Sequence, residues 1–284
     1  MPELPEVEAL AAYLDSKMAG RTIAAVDVVA VSVLKTFQPS PADLEGRSVL
    51  SVSRIGKYLD FRSDGAHLVL HLARAGWVRW RDEIRAARPR GGPLALRVRL
   101  DEGDGIEVTE AGTQKRLAAW VVASPEQVPG VARLGPDPLS EGFTVADLAE
   151  RLRATSSQLK GALTDQALVA GVGNAYSDEA LHAARMSPFR SARTLTDDEV
   201  RLLYESLRAV LGDAVDRSRD LPAAGLKDEK RAGMRVHGRT GLPCPVCGDT
   251  VREVSFADRS LQYCPTCQTG GRVLADRRLS RLLR

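Results

Sequence analysis

The stretch CPVCGDTVREVSFADRSLQYCPTC, residues 244–267, contains all four cysteines of the chain. They form two Cys-x2-Cys pairs, Cys244 with Cys247 and Cys264 with Cys267, separated by sixteen residues. A proline inside each pair helps the backbone turn, so that both sulfurs of a pair face one point. Two such pairs offer four thiolates to a tetrahedral Zn²⁺. The spacing therefore predicts one structural zinc, because four thiolates leave no open coordination position for water.

Between the two pairs, the sequence predicts a β-hairpin that carries the metal site. Residues 250–256 and 260–263 have the composition of two short strands, and residues 257–259 form the turn between them. This arrangement is a zinc ribbon with Arg259 at its tip. Two disulfides or four unrelated thiols are the alternatives, and disulfides are disfavoured in a chain that shows no secretory signal.

Length and composition are those of a soluble globular protein. The chain has 284 residues, 44% of them hydrophobic and 27% charged. No run approaches the roughly 18 apolar residues of a membrane span, which excludes a membrane protein. The first eight residues include three glutamates and lack the basic segment of a signal peptide. We therefore expect a cytoplasmic or nucleoid protein and, because no apolar stripe is left unassigned, a monomer.

Positive charge is concentrated at the end of the chain. Residues 225–284 contain 12 Lys+Arg and 6 Asp+Glu, whereas the other 224 residues contain 28 and 31. A basic segment of this kind attracts phosphate backbones, although a solvated surface tail has the same composition. Aromatic residues are only 5% of the chain, which argues against a platform of stacked bases.

The order of the predicted elements indicates an α+β multidomain protein. An apolar stripe predicts a helix over residues 6–18, and valine-rich segments, the first over 23–33, predict an antiparallel β-sandwich or barrel. Helical periodicity follows over 144–154, 156–168, 175–186 and 196–216, with a capping box at Thr196 and Glu199. We predict an N-terminal domain over 1–125, a linker over 126–139, a helical domain over 140–235 that ends in a loop over 217–235, the zinc hairpin over 236–269 and a basic tail over 270–284.

The N-terminus offers an unusual nucleophile. Removal of Met1 would leave Pro2 with a free secondary amine, and an α-amine titrates near pH 8. Such an amine can attack a sugar C1′ and form an iminium ion, as lysines do in Schiff-base enzymes. Glu3 beside it can donate or accept protons. Taken alone, a proline followed by a glutamate is also an ordinary start of a chain.

Four segments, in chain order, resemble the Fpg/Nei family of formamidopyrimidine-DNA glycosylases and endonuclease VIII-like proteins. They are MPELPEVE at residues 1–8, IGKYL at 55–59, GVGNAYSDE at 171–179, and VHGR at 236–239 leading into the zinc hairpin. The resemblance implies an N-terminal helix with an antiparallel β-sandwich, a helix–two-turns–helix (H2TH) domain and a C-terminal zinc-ribbon hairpin. It also implies damaged double-stranded DNA as the partner and a structural zinc as the cofactor.

The resemblance implies a bifunctional DNA glycosylase/AP lyase. Such an enzyme flips the damaged nucleotide out of the duplex, and Pro2 then attacks C1′ and displaces the base. Glu3 transfers a proton to the sugar ring oxygen, and β- and δ-elimination cut the strand on both sides of the sugar. Lys57 matches the family's essential lysine of the N-terminal domain, where it contacts DNA phosphate near the lesion.

Further DNA contacts follow from the same resemblance. Lys160 matches a lysine of the helical domain. The amides that follow Gly173 open a helix and can bind a phosphate, and Asn174 can cap that helix and contact the same group. Lys227 resembles a base-contacting part of the lesion loop, and Arg259 matches an arginine that clamps phosphates beside the flipped nucleotide.

Two segments depart from the family pattern and concern the side chains that fill the gap left by the flipped base. Arg74 stands where the formamidopyrimidine type has a methionine. The loop over residues 110–118 is longer than usual, with Leu117 in place of a phenylalanine. The gap-filling candidates are Arg74, Lys115, Arg116 and Leu117, and activity on 8-oxoguanine is therefore an open question.

Three other functions stay open on the sequence alone. A relative that acts mainly on oxidised pyrimidines, abasic sites or bulky adducts would have the same motifs. A catalytically silent, zinc-stabilised DNA-binding protein would keep the fold but not need a free Pro2. An RNA-binding zinc ribbon is the least supported of the three, because no segment resembles an RNA-binding module.

Overall fold

A computed structural model describes residues 1–85, 92–256 and 260–275 of the protein. Its helices are α1 (Leu4–Met18), α2 (Val145–Ala154), α3 (Leu159–Thr164), α4 (Asn174–Ala183), α5 (Asp197–Ser218), α6 (Leu226–Ala232) and α7 (Pro265–Thr269). Its strands are β1 (Ile23–Val28), β2 (Val49–Ile55), β3 (Tyr58–Ser63), β4 (Ala66–His71), β5 (Gly76–Arg81), β6 (Leu94–Leu100), β7 (Gly105–Glu110), β8 (Ala118–Val122), β9 (Arg252–Ser255) and β10 (Ser260–Tyr263). Within these described ranges, no helix is long and apolar enough to cross a membrane.

The chain divides into two compact units. The first comprises Met1–Arg133 and Ser218–Lys227, and the second comprises Leu134–Arg217 and Asp228–Arg284. The division after residue 133 falls inside the predicted linker over 126–139. The first half of that segment is packed, because Val128 and Val131 are buried in a cluster with residues of β4 and β8.

The first unit is an antiparallel β-sandwich. One sheet has the strand order β1-β6-β7-β5 and the other the order β2-β3-β4-β8. Alternate residues of both sheets contribute to one core, for example Val98 and Val108 from one sheet and Phe61 and Leu70 from the other. Strand β1 ends at Val28 rather than at residue 33, because the next two backbone N–H groups both donate to the Ala95 carbonyl and bend the chain.

Helix α1 packs against β2 and β3 of this sandwich. Its apolar stripe, which includes Val7, Leu10 and Leu14, is fully buried in the core. The helix begins with a capping box, in which the Glu3 backbone N–H donates to Glu6 Oε2 at 2.8 Å. The start of the helix is therefore specified by its own first residues.

The second unit is helical in its first part. Thr144 caps α2, and the predicted capping box of α5 is confirmed: the Thr196 N–H donates to Glu199 Oε2 at 2.9 Å and the Glu199 N–H to Thr196 Oγ1 at 3.3 Å. Helix α3 is shorter than the predicted 156–168, because the backbone of Asp165 is extended and ends it. The predicted loop over 217–235 contains the short helix α6.

The hairpin of β9 and β10 follows, with Ser260 paired to Ser255 and Tyr263 paired to Arg252. Strand β10 has the predicted bounds. Strand β9 is shorter than the predicted 250–256 and covers only Arg252–Ser255. Tyr263 is fully buried in a small cluster with Val254 and Leu261, which gives the hairpin a core of its own.

Candidate functional site

The predicted nucleophile and proton-transfer group lie at the start of α1. Met1 is 48% exposed, whereas Pro2 is buried and Glu3 is only 3% exposed. Glu3 is the N-cap of α1, so its backbone and carboxylate are held by the first turn of the helix. The positive end of the helix favours a carboxylate at this position. Pro2 and Glu3 are thus buried at the start of α1, directly after an exposed methionine.

Lys57 lies in the two-residue turn between β2 and β3, where Ile55 pairs with Tyr58. Gly56 has φ of +60°, a left-handed conformation that glycine adopts readily and that the tight turn requires. Lys57 itself is 8% exposed. Arg54 ties the turn to α1: its Nε lies 2.6 Å from Glu8 Oε2 and its Nη1 donates to the Gly56 carbonyl at 3.4 Å.

Sequence reasoning missed His71, which interacts with this turn. Tyr58 pairs with His71 in the β3–β4 ladder, and the two ring centroids are 4.7 Å apart. Burial, with the positive charge of Lys57 as a second cause, lowers the pKa of His71 to about 4. The imidazole is therefore neutral at pH 7. The signal that could have found it is its place at the end of a strand that leads into the turn with Arg74.

The two segments predicted to fill the gap, the turn with Arg74 and the loop over residues 110–118, lie side by side. Arg74 is exposed in the turn between β4 and β5, which the Gly76 N–H closes by donating to the Leu72 carbonyl at 2.8 Å. A side chain at Gly76 would meet that carbonyl at 2.2 Å, so only glycine fits. The loop after β7 contacts this turn, since the Ala111 N–H donates to the Ala75 carbonyl at 3.4 Å. The approach is close at the next residue as well, where a Cβ added to Gly112 would lie 2.9 Å from Ala75 Cβ.

Glu110, a second residue that sequence reasoning missed, organises the loop after β7. It is 2% exposed, and its Oε1 accepts hydrogen bonds from the backbone of Arg116 at 2.7 Å and of Leu117 at 2.9 Å. The ammonium of the exposed Lys115 donates a hydrogen bond to the Glu110 carbonyl at 2.6 Å. A glutamate at a strand end before a glycine-containing loop is the only sequence signal for this role.

The prediction that Leu117 fills the DNA gap is not compatible with this structure. Leu117 is 2% exposed and belongs to the core of the sandwich. A side chain that packs among core residues cannot also be inserted into a duplex. Arg74, Lys115 and Arg116 are exposed, so the gap-filling prediction is narrowed to these three.

Lys227 belongs to the first unit, in the segment that returns to the sandwich. Ala223 and Leu226 are buried in the sandwich core and anchor this segment. Lys227 is exposed, and its ammonium lies 4.4 Å from the centroid of the Trp77 ring. The Lys227 ammonium therefore lies on an aromatic face, and its contact with a base stays a prediction.

In the second unit, the start of α4 brings together the residues of the GVGN motif and Lys160. Gly173 is the N-cap, so Asn174 is the first residue of the helix and not its cap. The Asn174 side chain instead donates to the Ser260 carbonyl on the hairpin at 2.6 Å. Ser260 directly follows Arg259, which lies outside the described residues, as does its predicted turn over 257–259.

The prediction that Lys160 itself contacts DNA is not supported. Its ammonium donates to the Asn174 carbonyl at 2.6 Å, to Ser177 Oγ at 2.8 Å and to Asp178 Oδ1 at 2.6 Å. These three acceptors equal in number the N–H groups of a lysine ammonium. Lys160 therefore positions the first turns of α4. It also lines a cavity of about 200 Å³ together with Asn174, Phe189, Phe256 and Leu261.

Two buried acids of α4, which sequence reasoning did not single out, hold the chain that leads to the hairpin. Asp178 Oδ2 accepts from His237 Nδ1 at 2.8 Å and from the Gln262 N–H at 3.2 Å. Glu179 accepts from three successive backbone N–H groups, those of residues 235, 236 and 237, at 2.8–3.0 Å. Burial raises the pKa of Glu179 in spite of these three donors. The sequence signal for both residues is the adjacent Asp178 and Glu179 at the end of the NAYSDE segment.

The four cysteine sulfurs converge as predicted. All four lie within 4.8 Å of one another, with Cys244 and Cys267 at 3.9 Å and Cys247 and Cys264 at 3.3 Å. Four zinc–sulfur bonds of about 2.3 Å in a tetrahedron need sulfurs roughly 3.8 Å apart, so this set fits the ion. Burial raises the pKa of the Cys264 thiol to about 11, and a divalent cation offsets that cost by stabilising the thiolate.

Comparisons with known proteins agree with this architecture. The family model described as formamidopyrimidine-DNA glycosylase N-terminal domain matches residues 1–118, the one described as formamidopyrimidine-DNA glycosylase H2TH domain matches 134–221, and the zinc finger found in FPG and IleRS matches 241–270. The formamidopyrimidine-DNA glycosylase of Symbiobacterium thermophilum is 39% identical over 280 residues, which span 94% of this chain and 89% of the relative.

Solved structures show the same similarity. The crystal structure of MutM (Fpg) from Thermus thermophilus superposes with a TM-score of 0.81 at 35% identity, covering 94% of this chain and 98% of that one. The complex of Lactococcus lactis Fpg with DNA containing an abasic site gives a TM-score of 0.83 at 27% identity, with 94% and 99% covered.

The fold and the metal centre define a multidomain DNA glycosylase with a β-sandwich, an H2TH domain and a zinc finger. The chain belongs to the formamidopyrimidine-DNA glycosylase family, and its enzyme class is that of the Fpg-type glycosylases. The predicted family, fold class and structural zinc are thereby confirmed. The roles of the individual site residues stay predictions.

Proposed function

We propose that the protein excises oxidised bases from duplex DNA and cleaves the resulting abasic site through a Schiff base on Pro2. The observation that carries this proposal is the buried Pro2–Glu3 pair at the capped start of α1, in a chain of the Fpg family. The exposed Met1 precedes the pair, and its removal frees the Pro2 nitrogen. Solved complexes of Lactococcus lactis Fpg contain DNA with an abasic site, which supports damaged DNA as the substrate.

The chemistry begins with the Pro2 amine. An α-amine has a pKa near 8, so at neutral pH it must lose a proton before it can attack. The Glu3 carboxylate, held beside it by the helix start, accepts that proton. The nitrogen then forms a bond to C1′ as the glycosidic bond breaks and the base departs. The proton that remains on this nitrogen passes to the departing base. Glu3 returns its own proton to the sugar ring oxygen, the ring opens, and an iminium ion joins Pro2 to C1′.

The iminium ion makes strand cleavage possible. It acidifies the C2′ protons, so loss of one of them expels the 3′ phosphate in a β-elimination. A second, δ-elimination expels the 5′ phosphate, and hydrolysis of the remaining imine frees Pro2. No metal acts in these steps, in keeping with four thiolates that fill the coordination sphere of the zinc.

DNA phosphates are bound by Lys57, Asn174, Arg259 and the backbone that follows Gly173 in this proposal. Lys57 is supported by its place in a turn that Arg54 ties to α1. Asn174 is supported by its contact with the residue next to Arg259. Lys227, on the face of Trp77, is proposed to contact the flipped base.

Recognition of the base opposite the lesion falls to Arg74, with Lys115 and Arg116 in the adjoining loop. An arginine can fill the gap and donate hydrogen bonds to an unpaired base, but it does not match the shape of a methionine. We therefore propose that the lesion and opposite-base preferences differ from those of a methionine-bearing enzyme. Oxidised pyrimidines, abasic sites and bulky adducts are the alternatives to 8-oxoguanine.

Borohydride trapping tests the proposal directly. Protein shown by mass spectrometry to lack Met1 is mixed with duplexes that contain an abasic site, 8-oxoguanine or thymine glycol, and sodium borohydride is added. We expect a covalent complex at the abasic site, and the base-containing duplexes that trap will identify the lesion class. Pro2→Gly should strongly reduce the complex, because the imine of a primary amine can lose its proton, whereas the iminium ion of the secondary proline amine keeps its charge.

The matched control is Pro5→Gly, the same substitution in the first turn of α1 at a residue with no free amine. It should trap as the parent does. Failure of the parent protein to trap on any duplex, despite removal of Met1 and measurable DNA binding, would refute the enzyme and leave a catalytically silent DNA-binding protein.

A further inference from the structure

Helix α4 presents a stripe of polar side chains to the zinc hairpin. Asn174, Asp178 and His182 are spaced four residues apart and so lie on one face of the helix. Asn174 donates to the Ser260 carbonyl at 2.6 Å, and Asp178 accepts from the Gln262 N–H at 3.2 Å. The third residue of the stripe, His182, contacts the metal site itself.

His182 lies against one of the zinc ligands. Its Nε2 is 3.3 Å from Cys244 Sγ, and the two residues are 3% and 2% exposed. The other ring nitrogen, Nδ1, is buried and has no hydrogen-bond partner among the described residues. The contact with the sulfur is therefore the polar interaction that an imidazole adds at this position.

The direction of this hydrogen bond follows from the chemistry of the ligand. A thiolate that coordinates zinc has lost its hydrogen and can only accept. The imidazole must then carry its hydrogen on Nε2 and donate it to Cys244 Sγ. This assignment gives the buried polar ring a role that a phenyl ring could not fill. A phenyl ring of similar size would bury no unpaired nitrogen but would offer no donor to the thiolate.

We propose that His182 is a positioning residue of the zinc centre, which holds the Cys244 thiolate through its Nε2–H and so couples retention of the metal to helix α4. Outer hydrogen-bond partners of metal ligands orient the ligand and strengthen binding, and their loss costs 10- to 100-fold in affinity in general. The same helix face carries Asn174, so loss of the zinc and release of the hairpin from the start of α4 are linked events.

Zinc release measures this role without any assay of catalysis. The zinc content of the full-length protein is first established by native mass spectrometry, and release into excess 4-(2-pyridylazo)resorcinol is then followed by absorbance. We expect His182→Phe to release zinc at least about tenfold faster than the parent protein. His182→Gln, which keeps an N–H donor, should fall between the two.

The matched control is Tyr263→Phe. It removes a buried hydroxyl of the same hairpin, which accepts from the Leu274 N–H at 2.8 Å, and leaves the cysteine contacts intact. Its release rate should equal that of the parent. A His182→Phe rate within twofold of the parent rate would overturn the proposal.

Cobalt substitution separates hydrogen bonding from packing. Loss of the hydrogen bond from His182 raises the electron density on the Cys244 sulfur. The sulfur-to-cobalt charge-transfer band should therefore shift in His182→Phe but not in Tyr263→Phe. Faster release with an unshifted band would assign His182 to packing alone and contradict the proposal. If the phenylalanine variant does not fold, the band of His182→Gln is compared with that of His182→Leu, and identical bands would count against the proposal in the same way.

Discussion

At the scale of a single residue, Lys160 shows how tertiary partners decide what a charged side chain can do. Its sequence position matches a DNA-contacting lysine of the family, yet its side chain is only 12% exposed and its ammonium faces Asp178, whose side chain is 1% exposed. An ion pair as buried as this one is costly to break, because each charge loses its solvation without a partner. The structure shows Lys160 holding the first turns of α4, and a role of this lysine in DNA binding stays a prediction.

The Lys160–Asp178 pair gives the first prediction. Lys160→Met should lower the free energy of unfolding by about 3 kcal/mol, because it leaves the Asp178 carboxylate buried without its cation. Adding Asp178→Asn should recover part of that loss. Denaturant unfolding of the two single variants and the double variant measures the coupling. Strictly additive effects would show that the pair does not act as a unit.

His71 gives a prediction about pH. Its pKa of about 4 in the folded protein lies below the value of 6.5 for an unperturbed histidine. At a pH between these two pKa values, His71 is protonated in the unfolded chain and neutral in the folded protein. The free energy of unfolding therefore falls as the pH drops from about 6.5 towards 4. The loss attributable to this residue is roughly 3 kcal/mol.

The measurement compares the parent protein with His71→Gln, which cannot titrate. From pH 7 to pH 4, the unfolding free energy of the parent protein should fall more than that of the variant. A His71 proton resonance that titrates near 6.5 in the folded protein would contradict the assignment.

At the scale of elements, α4 organises the second unit. Its first residue contacts β10, its middle residues hold the segment before the hairpin, and its last turn reaches Cys244. The carboxylate of Glu179 is central, because it accepts three successive backbone N–H groups at residues 235–237. Buried backbone donors need such partners.

Glu179→Gln should loosen this connection. A glutamine has one oxygen where the glutamate has two, and its NH₂ group faces a donor, so at least one buried N–H loses its acceptor at a cost of about 1–3 kcal/mol. Hydrogen–deuterium exchange should accelerate at residues 235–237. Glu150→Gln, an exposed change on α2, is the control and should leave those amides protected.

The elements differ in how far local sequence specifies them. The capping box of α5 was predictable because Thr196 and Glu199 are three residues apart and need no distant partner. The end of α3 was not, because the apolar periodicity continues past Asp165 while the backbone becomes extended there. Helix α6 was missed because its segment is charged and its partners are distant in the chain: Leu226 is buried in the sandwich core, and Glu229 accepts from Arg217 Nε at 3.0 Å.

At the scale of the whole molecule, each unit has its own source of stability. The first buries one large apolar core between two sheets. Among its described residues, the hairpin of the second unit has two small clusters, one of which contains Cys244 and Cys264 themselves. So small a module needs a metal to fold.

Removal of zinc should therefore act selectively. After dialysis of the reduced protein against a chelator, amides of β9 and β10 should lose protection from exchange while those of β2–β4 keep it. Binding to an abasic-site duplex should fall at least about tenfold, because the hairpin carries Arg259 and contacts Asn174. Readdition of zinc should restore both, and unchanged binding by the metal-free protein would exclude a role for the hairpin.

The sequence by itself determined the family, the zinc ligands, the class of each domain and the helix near the start of the chain. All of these depend on motifs of adjacent residues or on periodicity, which are local properties of the chain. Only the tertiary structure decided that Leu117 belongs to the core and that Lys160 faces Asp178. It also decided the contacts of His71 with Tyr58, of Glu110 with Arg116 and of His182 with Cys244. Burial and partner choice depend on residues distant in the chain, and no local pattern specifies which distant residue will be adjacent.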